Sequence, residues 1–501
     1  MFSLTRWWAW LCAAGLLALI GGCSGTAGRH PMPVSDDEES RPLPAPMRSM
    51  TALPVANVAV DATETTGPLD TFRHTLGHGG INSNPLPPRV VDGVAKLHPR
   101  LIRIFIQEFF FVYPDHNVYD WSKLDPYMDS LAQTGANVVA AITIKPKPLF
   151  PKLDQNIWQP NNPAEWQQLI AALVKRYSVD KPIVTYWEIG NETDIGENGG
   201  CPYLIPDPAQ YAEYYKMTIE PILKTFPKAK VGGPAVANAS SDYIARFVDA
   251  CAKQKLPLDF ISWHLYSDDV DSHAQFVLKY RKIVDQFLGK RPEMLVTEWN
   301  KGFDPISVEE IAFDPRRAAI AASAIIAMLD AGLDWSFYYH LQDQVAYMPE
   351  FQPFFQNPDI MYHHWNEVPH RFGLFGVGQE PRPQYFVYQL LSRMGNQRLR
   401  ADSDQKDLRI LASRGDSSTA LMLVNLGHPS QDRLANLRLT NLTPGRKLIR
   451  TWRIDRTCSW SPRSLELLPL ETRQTDVRPN YSFQVYSPAD SVTFVTLEDQ
   501  K

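Results

Sequence analysis

Residues 182–194 read Pro-Ile-Val-Thr-Tyr-Trp-Glu-Ile-Gly-Asn-Glu-Thr-Asp. The run 182–190 is apolar, β-branched and aromatic, the composition of a buried strand. It breaks at Gly190 and leaves Asn191, Glu192 and Asp194 just beyond its end. Seven comparable runs flank it, at 71–79, 100–107, 136–144, 229–236, 257–266, 293–299 and 333–341. Their starts are roughly 30–45 residues apart, the length of a strand, a loop and a helix in a (β/α)8 TIM barrel. Helical periods fill the gaps at 163–177, 208–225 and 315–331, with Pro163, Pro208 and Pro315 at their starts, where a missing N–H costs nothing. An open doubly wound sheet is the main rival, but no GxGxxG follows a strand. The catalytic-type barrel is placed at 67–398.

Past residue 400 the pattern changes to short spans of alternating apolar and polar residues, such as DLRILASR and STALMLVNL. These predict a C-terminal antiparallel β-sandwich over 399–501. Val55–Asp61 alternates in the same way, so residues 54–66 are expected to join that sandwich as a strand.

The first 53 residues carry an address. Residues 7–22 are apolar behind Arg6, too short for a comfortable transmembrane helix and suited to a secretory signal. Leu19-Ile20-Gly21-Gly22-Cys23 resembles a bacterial lipobox. The resemblance implies a signal peptide over 1–22, lipidation of Cys23, and a lipid anchor at the bacterial cell envelope. Ser24 in place of an aspartate leans towards the outer membrane. An uncleaved signal anchor is the plainer alternative. Residues 23–53 are polar and proline-rich and read as a disordered tether.

The chain has 501 residues, 44% hydrophobic and 21% charged, with a net charge of −5. No long basic block exists, which argues against a nucleic-acid partner. The lipid is then the only contact expected with a membrane. Thirteen tryptophans, 20 tyrosines and 23 phenylalanines suit a large core and a sugar-binding cleft equally. Cys201 and Cys251 could pair in an oxidising compartment, and Cys458 would be left over.

Barrel enzymes carry their reactive groups at the C-terminal ends of strands. Glu192 follows the fourth run and Glu298 ends the seventh (Leu295-Val296-Thr297-Glu298-Trp299-Asn300). These strands lie across an eight-stranded barrel from each other, so the two carboxylates can face over its mouth. Facing carboxylates serve glycosidic bond cleavage, one as acid on the leaving oxygen and one as nucleophile or base. Double displacement asks for a separation of about 5–5.5 Å. Glu188 is the alternative acid, but extended strand would put it about 13 Å deeper at ~3.3 Å per residue, where a buried structural ion pair suits it better.

An Asn-Glu pair after strand four with a Glu on strand seven resembles the clan-A retaining glycoside hydrolases. Within the clan, the chain is most similar to glycoside hydrolase family 39, the β-xylosidases, α-L-iduronidases and exopolysaccharide hydrolases. Ile261 to Tyr266 carries a His-x-Tyr, and Phe337–Asp343 and Gly373–Pro383 add to the likeness. Gly190-Asn191-Glu192-Thr193 replaces the family's usual Trp-Asn-Glu-Pro and is also similar to arabinofuranosidase and glucuronidase sequences of the same clan, and Tyr339 stands where a tryptophan is common.

The resemblance implies that Glu298 is the nucleophile and Glu192 the acid and base. It implies that Asn191 binds the sugar 2-hydroxyl, that Tyr266 donates to Glu298, and that Arg103 supports the nucleophile. His264 is expected to line the cleft, where a satisfied core histidine is the alternative. His78 beside Gly79 and Gly80 is a weaker cleft candidate, and Trp299 and Tyr339 are candidate stacking platforms for the carbohydrate substrate. No cofactor is expected. His363, His364, His370 and Glu367 gather metal-ligand types, but their spacing is not HExxH, and the 345–372 segment is read as a wall of the cleft. A non-catalytic carbohydrate-binding lipoprotein on the same barrel is the competing function.

Overall fold

The computed structural model describes residues 53–303, 312–367, 371–457 and 460–500. The readings that fall on the signal, Cys23, most of the tether, His370 and Cys458 lie outside the described residues. No described helix is long and apolar enough to cross a membrane.

Strands β2 (His74–Gly77), β3 (Leu101–Ile106), β4 (Asn137–Ile142), β5 (Val184–Ile189), β6 (Lys230–Val236), β7 (Phe260–Tyr266), β8 (Glu293–Asn300) and β9 (Trp335–Tyr339) close into a barrel in that order. Every adjacent pair is parallel. Each of the eight runs read from the sequence coincides with one of these strands, the strand Glu293–Asn300 extending one residue past its run. The helices at Pro163–Val174 and Pro208–Thr225 begin with proline, and the side chains of Asn162 and Asp207 accept backbone N–H groups of their first turns, as capping requires.

Alternation in the strands separates two environments. Ile102, Ile104, Trp187, Ile189, Ile261 and Trp263 join the large outer core. The inward residues Leu101, Val139, Tyr186, Phe260, Leu295, Trp335 and Phe337 form a separate apolar cluster. That cluster is the floor of the barrel interior, because it comes from the N-terminal halves of the strands. One layer higher the interior turns polar.

The C-terminal region departs from a simple antiparallel sandwich. Its strands are β1 (Val55–Pro68), β10 (Gln397–Ser403), β11 (Leu408–Arg414), β12 (Ser418–Asn425), β13 (Arg433–Thr440), β14 (Gly445–Ile454), β15 (Glu471–Val477), β16 (Tyr481–Ser487) and β17 (Ser491–Asp499). All nine hydrogen-bond into one sheet, in the order β15-β14-β17-β12-β11-β10-β1-β13-β16. The pairing is antiparallel except where β1 runs parallel to β13. A strand from the N-terminal end of the described chain thus sits inside the sheet, and strand composition carries no information about that pairing. One face, including Val58, Val60, Leu421, Leu423, Leu437 and Val495, encloses its own core. The alternate residues Leu411, Met422, Val424, Trp452 and Phe494 join the barrel's core, and the helix Arg316–Asp330 touches β11, β12 and β17.

Cys201 and Cys251 are both buried and free, so the disulfide left open by the sequence does not form between them.

Candidate active site

Glu298 reaches the barrel interior through a β-bulge. Trp263 pairs with Val296 and the next residue, His264, pairs with Glu298. On the other side Val296 pairs with Ser336 and Trp299 with Tyr338. Thr297 is therefore an extra residue. Leu295 faces the floor cluster, so strict alternation would turn Glu298 outward and Trp299 inward. The bulge inverts that parity, as bulges beside active sites do. Trp299 consequently meets Tyr338 and His273 edge to face, at 5.2 and 5.5 Å between centroids. It is 1% exposed and belongs to the outer core, so it offers no stacking face to the cleft.

Glu192 is placed by a turn. The chain leaves β5 at Ile189 and takes positive φ at Gly190 (83°) and Glu192 (46°), a strained geometry for a non-glycine residue. Its N–H donates to the carbonyl of Ala235 at 2.9 Å. Gly199 closes against it, since a Cβ there would lie 2.0 Å from Glu192 Oε2. This glycine is needed for the approach of the carboxylate, and sequence reading did not find it.

Arg103 is the hub. Its Nε donates to Glu188 at 2.6 Å, one Nη to Glu298 at 2.8 Å and the other to Asn191 Oδ1 at 2.7 Å. Both Arg103 and Glu188 are wholly buried. Glu188 is thus the structural partner anticipated for it, but it sits one guanidinium away from Glu298 rather than far below. The chain turns at Gly190, so extended-strand spacing does not apply. Asn191 Nδ2 donates to the Gly199 carbonyl at 3.3 Å.

Tyr266 donates to Glu298 Oε2 at 2.7 Å. His264 Nδ1 is hydrogen bonded to Glu192 Oε1 at 2.7 Å and lies 3.6 Å from Glu298 Oε2. His264 is 1% exposed and stands behind the carboxylates instead of lining the cleft. Burial pulls it down to about 4, so its ring is neutral near pH 7.

Glu192, His264 and Glu298 bring one ligand-type atom each within 4.8 Å of one another. His264 is hydrogen bonded to Glu192, while Arg103 and Tyr266 donate to Glu298, a set suited to proton transfer. Among the described residues, His363 and His364 join no group of three metal-ligand side chains. His363 pairs with Glu367 at 3.0 Å on the surface, while His364 lines the pocket.

The two carboxylates have different settings. Burial pushes Glu192 up to about 8, with the Asp194 charge adding to the rise and Arg103 opposing it. Burial raises Glu298 as well, but Arg103 and the Tyr266 hydroxyl oppose the rise, and both donate directly to its oxygens. Glu192 therefore keeps its proton near neutrality, and Glu298 is the better held as a carboxylate.

A pocket of about 130 Å³ opens over the pair, lined by Asn191, Glu192, Tyr266 and Glu298 and walled by Tyr339, Trp365, Phe303 and Phe372. Tyr339 donates to the Gly79 carbonyl at 2.9 Å. Met361, His364, Trp365 and Phe372 from the 345–372 segment form part of the wall. Phe105 and Gln107 share the inward parity of Arg103, a signal that could have found them. Phe303 packs on Tyr266 at 4.9 Å and had no comparable signal. His78 lies outside this pocket. Its ring is parallel to that of Tyr127 at 6.2 Å, and it borders a separate hollow with Gln342 and Gln344. Gly80, two residues later, takes the place at the pocket wall.

Fold and site together define a TIM-barrel hydrolase of O-glycosidic bonds. The chain belongs to glycosyl hydrolases family 39, whose pattern it matches over residues 101–435, and so to the clan-A retaining glycosidases. It is 23% identical over 387 residues to a β-xylosidase of Geobacillus stearothermophilus, covering 71% of this chain and 68% of that one. The fold matches a monomeric β-xylosidase of Caulobacter crescentus (TM-score 0.69, 20% identity, 89% of this chain and 100% of that one). It also matches a GH39 enzyme of Xanthomonas axonopodis pv. citri (TM-score 0.69, 18% identity, 89% and 97%).

Proposed function

We propose that Glu298 is the nucleophile and Glu192 the acid and base of a double displacement at the cell envelope. The observation that carries this reading is the pair itself. The two residues place oxygens within 4.8 Å, close to the ~5–5.5 Å of a retaining pair and well short of the ~6.5–9.5 Å that an inverting water needs. Burial holds a proton on one of the pair, while Arg103 and Tyr266 donate to the other.

Glu298 attacks the anomeric carbon as the bond to the leaving oxygen breaks, and Glu192 gives its proton to that oxygen. Bond formation removes the charge on Glu298. Glu192, now ionised, takes a proton from water, and the resulting hydroxide attacks the same carbon and releases Glu298. Arg103 and Tyr266 orient the nucleophile. Asn191, fixed by Arg103 and Gly199, borders the pocket where a 2-hydroxyl would sit. Tyr339, Trp365 and Phe303 supply aromatic faces for a sugar ring.

The substrate is an oligo- or polysaccharide of the envelope or its surroundings, and Cys23 carries the lipid that keeps the enzyme there. A 2-deoxy-2-fluoro glycosyl fluoride should leave a covalent sugar on the peptide containing Glu298, read by mass spectrometry. An adduct on another residue, or none with any glycosyl fluoride that the enzyme hydrolyses, would overturn the assignment. Cys23→Ser should release the protein from the membrane fraction and remove the lipid mass.

A further inference from the structure

We infer that the sugar unit seated on the Glu192–Glu298 pair is electrically neutral, with no carboxylate, sulfate or phosphate. This deepens the proposed function and rests on it.

Among the described residues, no Lys or Arg lines the pocket, and its only carboxylates are Glu192 and Glu298. A uronate would bring another anion beside a pair that already includes one ionised carboxylate. Like charges a few ångströms apart in a partly desolvated pocket repel strongly. Sites that bind sugar carboxylates offset this with a guanidinium or ammonium able to donate to them.

Three of the cations around the pocket are engaged elsewhere. Arg103 is closest, and all three of its nitrogens donate to Glu188, Glu298 and Asn191. It is also fully buried, so no edge remains for a ligand. Lys145 Nζ donates to the carbonyls of Asp154 and Pro202, at 2.6 and 3.0 Å. Lys123 donates to the Phe109 carbonyl at 3.1 Å. His364 borders the pocket, but burial, with a smaller contribution from His363, holds it below its ordinary range and hence neutral. Lys301 and Arg371 flank the wall residues Phe303 and Phe372 in sequence, and neither lines the pocket.

The walls fit a neutral ring. Phe105, Phe303, Tyr339, Trp365 and Phe372 surround the polar base, so apolar C–H faces meet aromatic rings and hydroxyls meet Asn191, Gln107 and the carboxylates.

The test uses the full-length protein and 4-methylumbelliferyl glycosides. The neutral set is β-xyloside, β-glucoside, β-galactoside and α-L-arabinofuranoside; the charged set is β-glucuronide, β-galacturonide and α-L-iduronide. The best neutral substrate should exceed the best uronide in kcat/KM by at least 100-fold. A uronide equal to or better than every neutral glycoside overturns the neutral-sugar inference and leaves the glycosidase reading intact. Hydrolysis of none, with no covalent labelling of Glu298, overturns both. Met361→Lys places an ammonium on the pocket wall and should narrow the ratio at least tenfold, while Met361→Gln should not. A ratio unmoved by the lysine in a folded variant overturns the electrostatic cause.

Discussion

The floor and the mouth of the barrel share the same strands, yet they are built from opposite materials. The floor is Leu101, Val139, Tyr186, Phe260, Leu295 and Phe337. The mouth places Arg103 above Leu101, Glu188 above Tyr186, His264 and Tyr266 above Phe260, and Tyr339 above Phe337, all on the same faces. Apolar packing at the floor secures the scaffold. At the mouth, buried charges are costly unless paired, and the Arg103 hub compensates them while holding the reactive groups in position. Stability is thus concentrated below and preorganisation above.

The sharpest way to break that division is Glu298→Gln, which should lower kcat/KM by roughly 10⁴-fold or more while leaving folding intact. A variant that keeps parent activity on natural sugar would remove Glu298 from the chemistry. Glu192→Gln should cost about 10²–10⁴-fold on sugars with poor leaving groups. With an activated aryl leaving group, formation of the intermediate should be largely spared, and burst kinetics can separate that step from its hydrolysis.

The pH profile sharpens the same point. Glu192 must be protonated for the first step, and its folded-state value is raised to about 8. Activity limited by that step should therefore hold below about pH 8 and fall above it, and the Gln variant should lose this alkaline limb.

Arg103→Met should destabilise the fold by about 3–5 kcal/mol in denaturant titration, because Glu188 and Glu298 lose their shared partner. Arg103→Lys should recover only part of this, since an ammonium cannot reproduce the three-way fork. Leu295→Ala at the floor should cost about 2–5 kcal/mol, with kcat/KM per folded molecule changed by less than about threefold. A larger catalytic loss there would show that floor and mouth are not separable.

Much of this was legible from residue order. The eight strand runs, the proline-led helices, the Asn191–Glu192 and Glu298 positions and the His264-x-Tyr266 pair are local patterns, and local backbone preference with period-two alternation is enough to place them. The failures have a common cause in pairing. The parallel β1–β13 contact joins residues far apart in sequence, and no local propensity encodes which edge a strand chooses. The Thr297 bulge decides that Glu298 turns in and Trp299 out, and it is defined only against β7 and β9. His78 and His264 carried sound chemical signals, but neither reaches the open pocket, because burial is a property of neighbours.

The sequence by itself determined the barrel, the two carboxylates and the kind of chemistry they support, since these follow from composition, periodicity and spacing along one strand at a time. Only the tertiary structure decided which side chains face the sugar, how Arg103 binds three partners, and why one carboxyl keeps its proton. Those outcomes depend on distances between strands and on exclusion of water, and both exist only once the chain has closed on itself.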